Sequence, residues 1–277
     1  MHVYISADME GVTGLVDADD VQPGGRDYER GRIMMTEDVN AAIRGALTAG
    51  ATAITVNDAH GPMRNLLPDL LHPVARLVRG KPKNMIMLEG LDATHDAVLC
   101  IGFHSRAGTL GVLSHSFMGH EIEDIWLDGR PVGEIGLAHA TAAALGVPVV
   151  LLSGDDTACA EMTKWDPAVT CVAVKNAGDR FSAELVPVDE ARQAIETAAA
   201  DSLSAPRGPA PAADSEDSTL TVRWQSASVA STLLGIPGVT ATDSRTVQAS
   251  GALPDLYRLF GVWMRVAASL TNQAPYC

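Results

Sequence analysis

The stretch His2-Val3-Tyr4-Ile5-Ser6-Ala7-Asp8-Met9-Glu10-Gly11 decides how the rest of the chain is read. From Val3 to Ala7 it is a short apolar run of the length of a buried strand, and it leads straight into the carboxylates of Asp8 and Glu10. It has no basic segment ahead of the apolar run and meets a charge at Asp8, so it predicts a first strand and not a secretory signal peptide. Similar runs lie at residues 53–56, 97–103, 147–153 and 169–174. Near-continuous apolar runs of this length are the pattern of strands covered on both faces.

Between the runs lie helical patterns. Residues 29–49 place Ile33, Met34, Ile43, Ala46 and Leu47 at roughly helical spacing and stop at Gly50; residues 133–145 and 190–203 read as further helices. Strands alternating with helices predict an α/β fold, with a largely parallel central sheet flanked by helices. The expected organisation is an α/β metal-binding catalytic domain over residues 1–204, a Pro/Ala-rich loop or linker over 205–218, and a smaller C-terminal α+β subdomain over 219–277. That subdomain is expected to hold a strand at 220–224 and an apolar helix at 256–270.

The chain has 277 residues, with 34 acidic against 20 basic side chains and a formal charge of −14. Nucleic acids and anionic membrane surfaces select for clustered Lys and Arg, so neither is an expected partner. At 47% apolar and 19% charged residues, disorder is excluded. The longest apolar stretch, residues 140–152, contains Gly146 and Pro148 and falls short of the ~20 residues that span a bilayer, so a soluble protein is expected. Cys100, Cys159, Cys171 and Cys277 are widely separated and form no C-x-x-C pair, which argues against a thiol zinc site or a disulfide framework and fits a reducing cytoplasm.

Chemistry concentrates where the runs end. In an extended segment Asp8 and Glu10 face the same side, and two repelling carboxylates suit an intervening divalent cation; a solvated acidic turn is the plain alternative. The second run leads into Asn57-Asp58-Ala59-His60 and the third into Phe103-His104-Ser105-Arg106. Taken singly, His60 reads as a surface or capping residue. Together the three runs place metal-competent groups beyond the carboxyl ends of three strands, where loops converge on a ligand crevice in open α/β sheets. Glu134, near a helix start, is either a response to the helix dipole or a further ligand. His115, in Ser114-His115-Ser116, is either a loop histidine bonded to its serines or a working group. His2, His72, His95, His120 and His139 have no such context and read as structural.

Two imidazoles and three carboxylates suit zinc or a related transition metal better than calcium or magnesium. Five such groups exceed one tetrahedral site with an open position, so two ions ~3.5 to 4 Å apart are expected, with Asp8 as the natural bridge.

The motifs Ser6-x-Asp8-x-Glu10-Gly11, Tyr28-Glu29-Arg30-Gly31-Arg32, Met35-Thr36-Glu37, Asn57-Asp58-x-His60, Glu89-Gly90-Leu91-Asp92, Gly102-x-His104-x-Arg106-Ala107, Ser114-His115-Ser116, Arg130-Pro131-Val132-Gly133-Glu134 and Gly154-Asp155-Asp156 resemble the DppA-type D-aminopeptidases, a family of binuclear zinc peptidases. They run in family order through the first two-thirds of the chain. The resemblance implies that Asp8, Glu10, His60, His104 and Glu134 bind zinc, with Asp8 on both ions, and that His115 is catalytic. It also implies removal of N-terminal D-amino acids, of the D-Ala type, from short peptides, and assembly into a ring-shaped homodecamer. The alternative is a binuclear metallohydrolase of another amide or ester. Lys175, past the strand that ends Val172-Ala173-Val174, is read either as a substrate-binding residue pointing into the crevice or as a surface lysine.

Overall fold

A computed structural model describes residues 1–205 and 217–271. In chain order its first half holds β1 (His2–Ala7), α1 (Ala18–Val21), α2 (Tyr28–Thr48), β2 (Ala53–Asp58), β3 (Ala75–Val78), β4 (Ala97–Phe103), β5 (Ile122–Leu127) and β6 (Arg130–Pro131). Then come α3 (Glu134–Ala144), β7 (Val149–Asp155), α4 (Asp156–Trp165), β8 (Thr170–Asp179), β9 (Ser182–Leu185) and α5 (Val188–Ser204). Beyond residue 217 lie β10 (Ser218–Trp224), α6 (Ala227–Leu233), β11 (Thr240–Ala241), β12 (Thr246–Gly251) and α7 (Leu253–Thr271).

The five apolar runs all form strands of one seven-stranded sheet, in the order β3-β2-β1-β4-β7-β8-β9. Its pairings are parallel except for the edge hairpin β8–β9. Side chains alternate between the two faces of each strand. Val3 and Ile5 of β1, with Leu99 and Ile101 of β4, share a buried core with α2 and α5. Tyr4, Val98 and Cys100 point the other way, into a second core shared with α3, α6, α7 and the smaller sheet. That two-sided burial is why the runs read as continuously apolar.

Strand order reverses at β1. The chain steps from β1 through β2 to β3 on one side, then returns to β4 on the other and continues to β7 and β8. The carboxyl ends of β1 and β4 therefore open onto a topological switch point, the usual place for a ligand in such sheets.

The second sheet has five strands, in the order β11-β12-β10-β5-β6. It draws β5 and β6 from the middle of the chain and β10 to β12 from residues beyond 217, with β10 antiparallel to both β5 and β12. The smaller unit is thus built from both sides of residue 204, because its hydrogen-bonded edges are satisfied only by strands distant in sequence. Most of the Pro/Ala-rich stretch at 205–218, together with Cys277, lies outside the described residues. Among the described residues no helix is long and apolar enough to cross a membrane.

Candidate metal centre

The end of β1 is pressed against the end of β4 through glycine. Asp8 N–H donates to the Ile101 carbonyl (2.8 Å), and Gly11 N–H to the Gly102 carbonyl (2.8 Å). A Cβ on Gly11 would overlap the Phe103 carbonyl, and one on Gly102, whose φ is +75°, would overlap the Asp8 carbonyl. Only glycine fits such an approach of two backbones. The contact brings the Asp8–Glu10 loop and the His104 loop together.

His60 is delivered from the end of β2 by a loop folded around Asp58. That carboxylate accepts from Asn65 N–H (2.6 Å), Leu66 N–H (2.8 Å) and the Asn65 side-chain amide (2.8 Å), so Asp58 shapes the turn that carries His60. Glu134 is the first residue of α3, behind Gly133 at the N-cap. Asp155, at the end of β7, caps α4 and also accepts from Val112 N–H (2.7 Å), which holds the loop leading to His115.

These elements converge. His60 Nδ1 lies 2.9 Å from Glu10 Oε2 and 3.3 Å from Asp8 Oδ1. His104 Nε2 lies 3.5 Å from Asp8 Oδ2 and 3.3 Å from Glu134 Oε1. His115 Nε2 is 3.9 Å from both Glu10 Oε1 and Glu134 Oε1, and its ring stacks on that of His104 with centroids 4.2 Å apart. Asp8, Glu10, His60, His104 and Glu134 are all buried.

The remote ring nitrogens are anchored as metal-ligating histidines require. His60 Nε2 sits 2.9 Å from the Val21 carbonyl, His104 Nδ1 2.9 Å from the Ser105 carbonyl and His115 Nδ1 2.9 Å from the Leu113 carbonyl. A proton on each anchored nitrogen leaves the lone pair of the other aimed into the cluster. Its fit to cations has a second mark: Asp8 Oδ2 and His104 Nε2 are buried and have no hydrogen-bond partner. Such orphaned atoms are costly unless something else coordinates them.

The electrostatics agree. Burial, then the neighbouring Glu10 carboxylate, raises Asp8 to about 7. Burial opposes charge on His60 and His104 as well, but the surrounding carboxylates outweigh it and hold both imidazoles well above their ordinary value. Burial also opposes charge on Glu10, yet the three histidines hold it well below the usual carboxylate range. His115 is pushed the other way, down, by burial and by the charge of His104. Packed together, the carboxylates draw protons onto the imidazoles to balance their charge, which is the service a divalent cation provides. Three sets of ligand atoms are close enough to hold an ion: Asp8/Glu10/His60, Asp8/His104/Glu134, and Glu10/His104/His115. Asp8, Glu10 and His104 each belong to two of them.

A cavity of about 790 Å³ opens over the cluster and is lined by Asp8, Glu10, His60, His115 and Glu134. Its walls come from residues that sequence reasoning missed: Met63, Phe117, Met118, Arg180, Phe181, Met264 and Arg265. They sit on loops and on α7, and single apolar or basic residues there carry no periodic signal. His120, read as structural, also lines this cavity. The His2 and His95 rings lie against one another, tilted, with centroids 3.8 Å apart, and His139 pairs with Asp166 at 3.1 Å.

Lys175 needs correction. It neither points into the crevice nor lies on the surface. Its side chain is fully buried, and its ammonium donates to the carbonyls of Glu10 (2.6 Å), Val12 (2.9 Å) and Leu15 (2.5 Å). The β1 loop curls its carbonyls inward and would bury them unsatisfied without this donor, so Lys175 holds the loop that presents Glu10.

Comparison with known proteins adds to this geometry. The family model described as D-aminopeptidase matches residues 1–262. A D-aminopeptidase of Bacillus subtilis (strain 168) is 45% identical over 175 residues; the match covers 63% of this chain and 64% of that protein. Among solved structures, the chain is similar to the Zn-dependent D-aminopeptidase DppA from Bacillus subtilis, described as a self-compartmentalizing protease. That structure has a TM-score of 0.93 and 34% identity, with 100% of each chain covered.

Proposed function

The chain belongs to the D-aminopeptidase family, and from that premise we propose that it is a zinc-dependent aminopeptidase that removes N-terminal D-amino acids, of the D-Ala type, from short peptides. Asp8, Glu10, His60, His104 and Glu134 would hold two zinc ions, with Asp8 reaching both. The single observation that carries this is the convergence of five buried ligand side chains from four elements, with two of their ligand atoms orphaned and Asp8 shared by two potential ion sites. Bound there, the ions supply Lewis acidity toward the scissile carbonyl and the attacking water.

The chain's own residues orient and move protons. His115 presents Nε2 to the cavity, with Nδ1 fixed on the Leu113 carbonyl. That nitrogen takes a proton from the attacking water and returns it to the leaving amine. The same lone pair can instead attack the carbonyl directly, a role that a trapped acyl-imidazole under rapid quench would reveal. Phe117 N–H donates to Glu134 Oε1 (2.6 Å) and fixes that carboxylate beside His104. Asp155 holds the loop that leads to His115.

We also propose a cytoplasmic homodecamer. The Bacillus subtilis structure is described as self-compartmentalizing, and the described cysteines Cys100, Cys159 and Cys171 are free thiols. Light scattering at about ten times the 29.0 kDa chain mass would support the ring.

The deciding experiment measures zinc per subunit and then assays D-Ala and L-Ala dipeptides with and without a chelator. Two ions and chelator-sensitive cleavage of the D peptide are expected. Zinc-replete protein that cleaves neither enantiomer removes the aminopeptidase assignment, and equal cleavage of both removes the chiral preference.

A further inference from the structure

The cavity wall carries cations as well as carboxylates, and their states differ. The Lys83 ammonium is consumed by Asn57 Oδ1 and the Asp58 carbonyl, both at 2.6 Å. Arg265 donates to the Lys83 carbonyl at 2.8 Å. Arg180 is different: it lines the cavity, its Nε is buried without a hydrogen-bond partner, and among the described residues no carboxylate pairs with it. Its guanidinium lies 5.4 Å from the Phe181 ring.

Its backbone ties it to the chemistry. Arg180 sits in the tight β8–β9 turn, and its carbonyl accepts from Leu113 N–H at 2.8 Å, two residues before His115. In a chain of net charge −14, a buried guanidinium donor left unpartnered in a cavity is costly unless a ligand supplies the acceptor. Guanidinium matches a carboxylate through paired, charge-assisted hydrogen bonds.

Resting on the aminopeptidase reading, we propose that Arg180 binds the C-terminal carboxylate of the peptide and so makes the enzyme select short peptides with a free carboxyl end. The cavity volume, about 790 Å³, fits a peptide of a few residues held between the metal cluster and such an anchor.

The test uses full-length, zinc-loaded protein and compares D-Ala-D-Ala with its C-terminal amide. Wild type is expected to favour the acid by about tenfold or more in kcat/KM, the scale of one charge-assisted contact, expressed mainly in KM. In Arg180→Gln the acid/amide ratio should fall toward one with zinc content unchanged. Equal use of acid and amide by wild type overturns the proposal. So does an Arg180→Gln variant that loses activity on both substrates with the ratio preserved, the mark of a structural role. Lys81→Gln, which alters another cation on the same wall, serves as comparator; a ratio that collapses there and not in Arg180→Gln overturns the assignment. If wild type hydrolyses neither peptide, the aminopeptidase reading fails separately. Calorimetric binding of the two peptides then decides the subsite, tighter binding of the acid supporting it and equal binding overturning it.

Discussion

Two buried charged regions lie within a few residues of one another on the β1 loop, and they are built on opposite principles. At Lys175 a charge sits in the interior and is closed by protein atoms: three carbonyls accept from one ammonium. At the cluster of Asp8, Glu10, His60, His104 and Glu134, equally buried groups crowd like charges together and leave Asp8 Oδ2 and His104 Nε2 without partners. A buried charge that serves the fold is closed by protein atoms. One that serves chemistry keeps valences open for something the chain does not contain.

The strongest way to break that contrast is to remove the open valences. Asp8→Asn leaves the two potential ion sites that contain Asp8 short of a shared carboxylate, so bound zinc measured by mass spectrometry should drop, and hydrolysis should become undetectable. Full zinc occupancy in that variant would mean Asp8 bridges nothing. His115→Ala should instead keep its zinc while turnover falls by roughly 10²–10⁴-fold, the range for loss of a positioned proton-transfer group. Loss of zinc would recast His115 as a ligand, as the Glu10/His104/His115 set allows.

The closed region is broken by Lys175→Met, which strands three buried carbonyls. A loss of about 2–4 kcal/mol in chemical denaturation is expected, with weaker zinc binding because the loop carrying Glu10 loosens. The pH dependence sharpens this. Burial pushes the Lys175 ammonium down to about 8, from an ordinary 10.5. Between those values the unfolded chain holds the proton more tightly than the folded one, so this residue's contribution to stability grows as pH rises from 8 to 10.5 and is lost as pH falls through 8. Wild type should gain on Lys175→Met across that window; parallel stability curves would contradict it. The smallest effect belongs to an ion pair outside both regions. Arg44–Glu196 joins α2 to α5 at 2.7 Å with both side chains partly exposed, so Glu196→Gln should cost below about 1 kcal/mol and leave zinc content unaltered.

Much of this was legible in the sequence because it is local. Val3–Ala7 and the four later runs predicted the parallel strands, since a strand buried on both faces needs apolar residues at every position. The candidate ligands could be named because strand ends converge in such sheets, so Asp8, His60 and His104 pointed to one crevice even though they are far apart in the chain. The smaller sheet was not legible in that way. No element is predicted from residues 122–131, and nothing there announces that the partner of β5 is β10, some ninety residues on. Lys175 was misread for the same reason: a lysine past a strand end looks free until the carbonyls it binds, all on the β1 loop, are placed around it.

By itself, then, the sequence determined which segments become strands, which side chains can ligate a metal and the family to which the chain belongs. The strands and the metal-competent side chains follow from residue type and short-range period, and the family from the ordered motifs that resemble it. Tertiary structure alone decided which buried charges are closed and which stay open, that β5 and β6 complete a sheet with the C-terminal strands, and that Arg180 faces the cavity unpaired. Whether a buried polar atom is satisfied depends on what packs beside it in space, and no local pattern of residues carries that information.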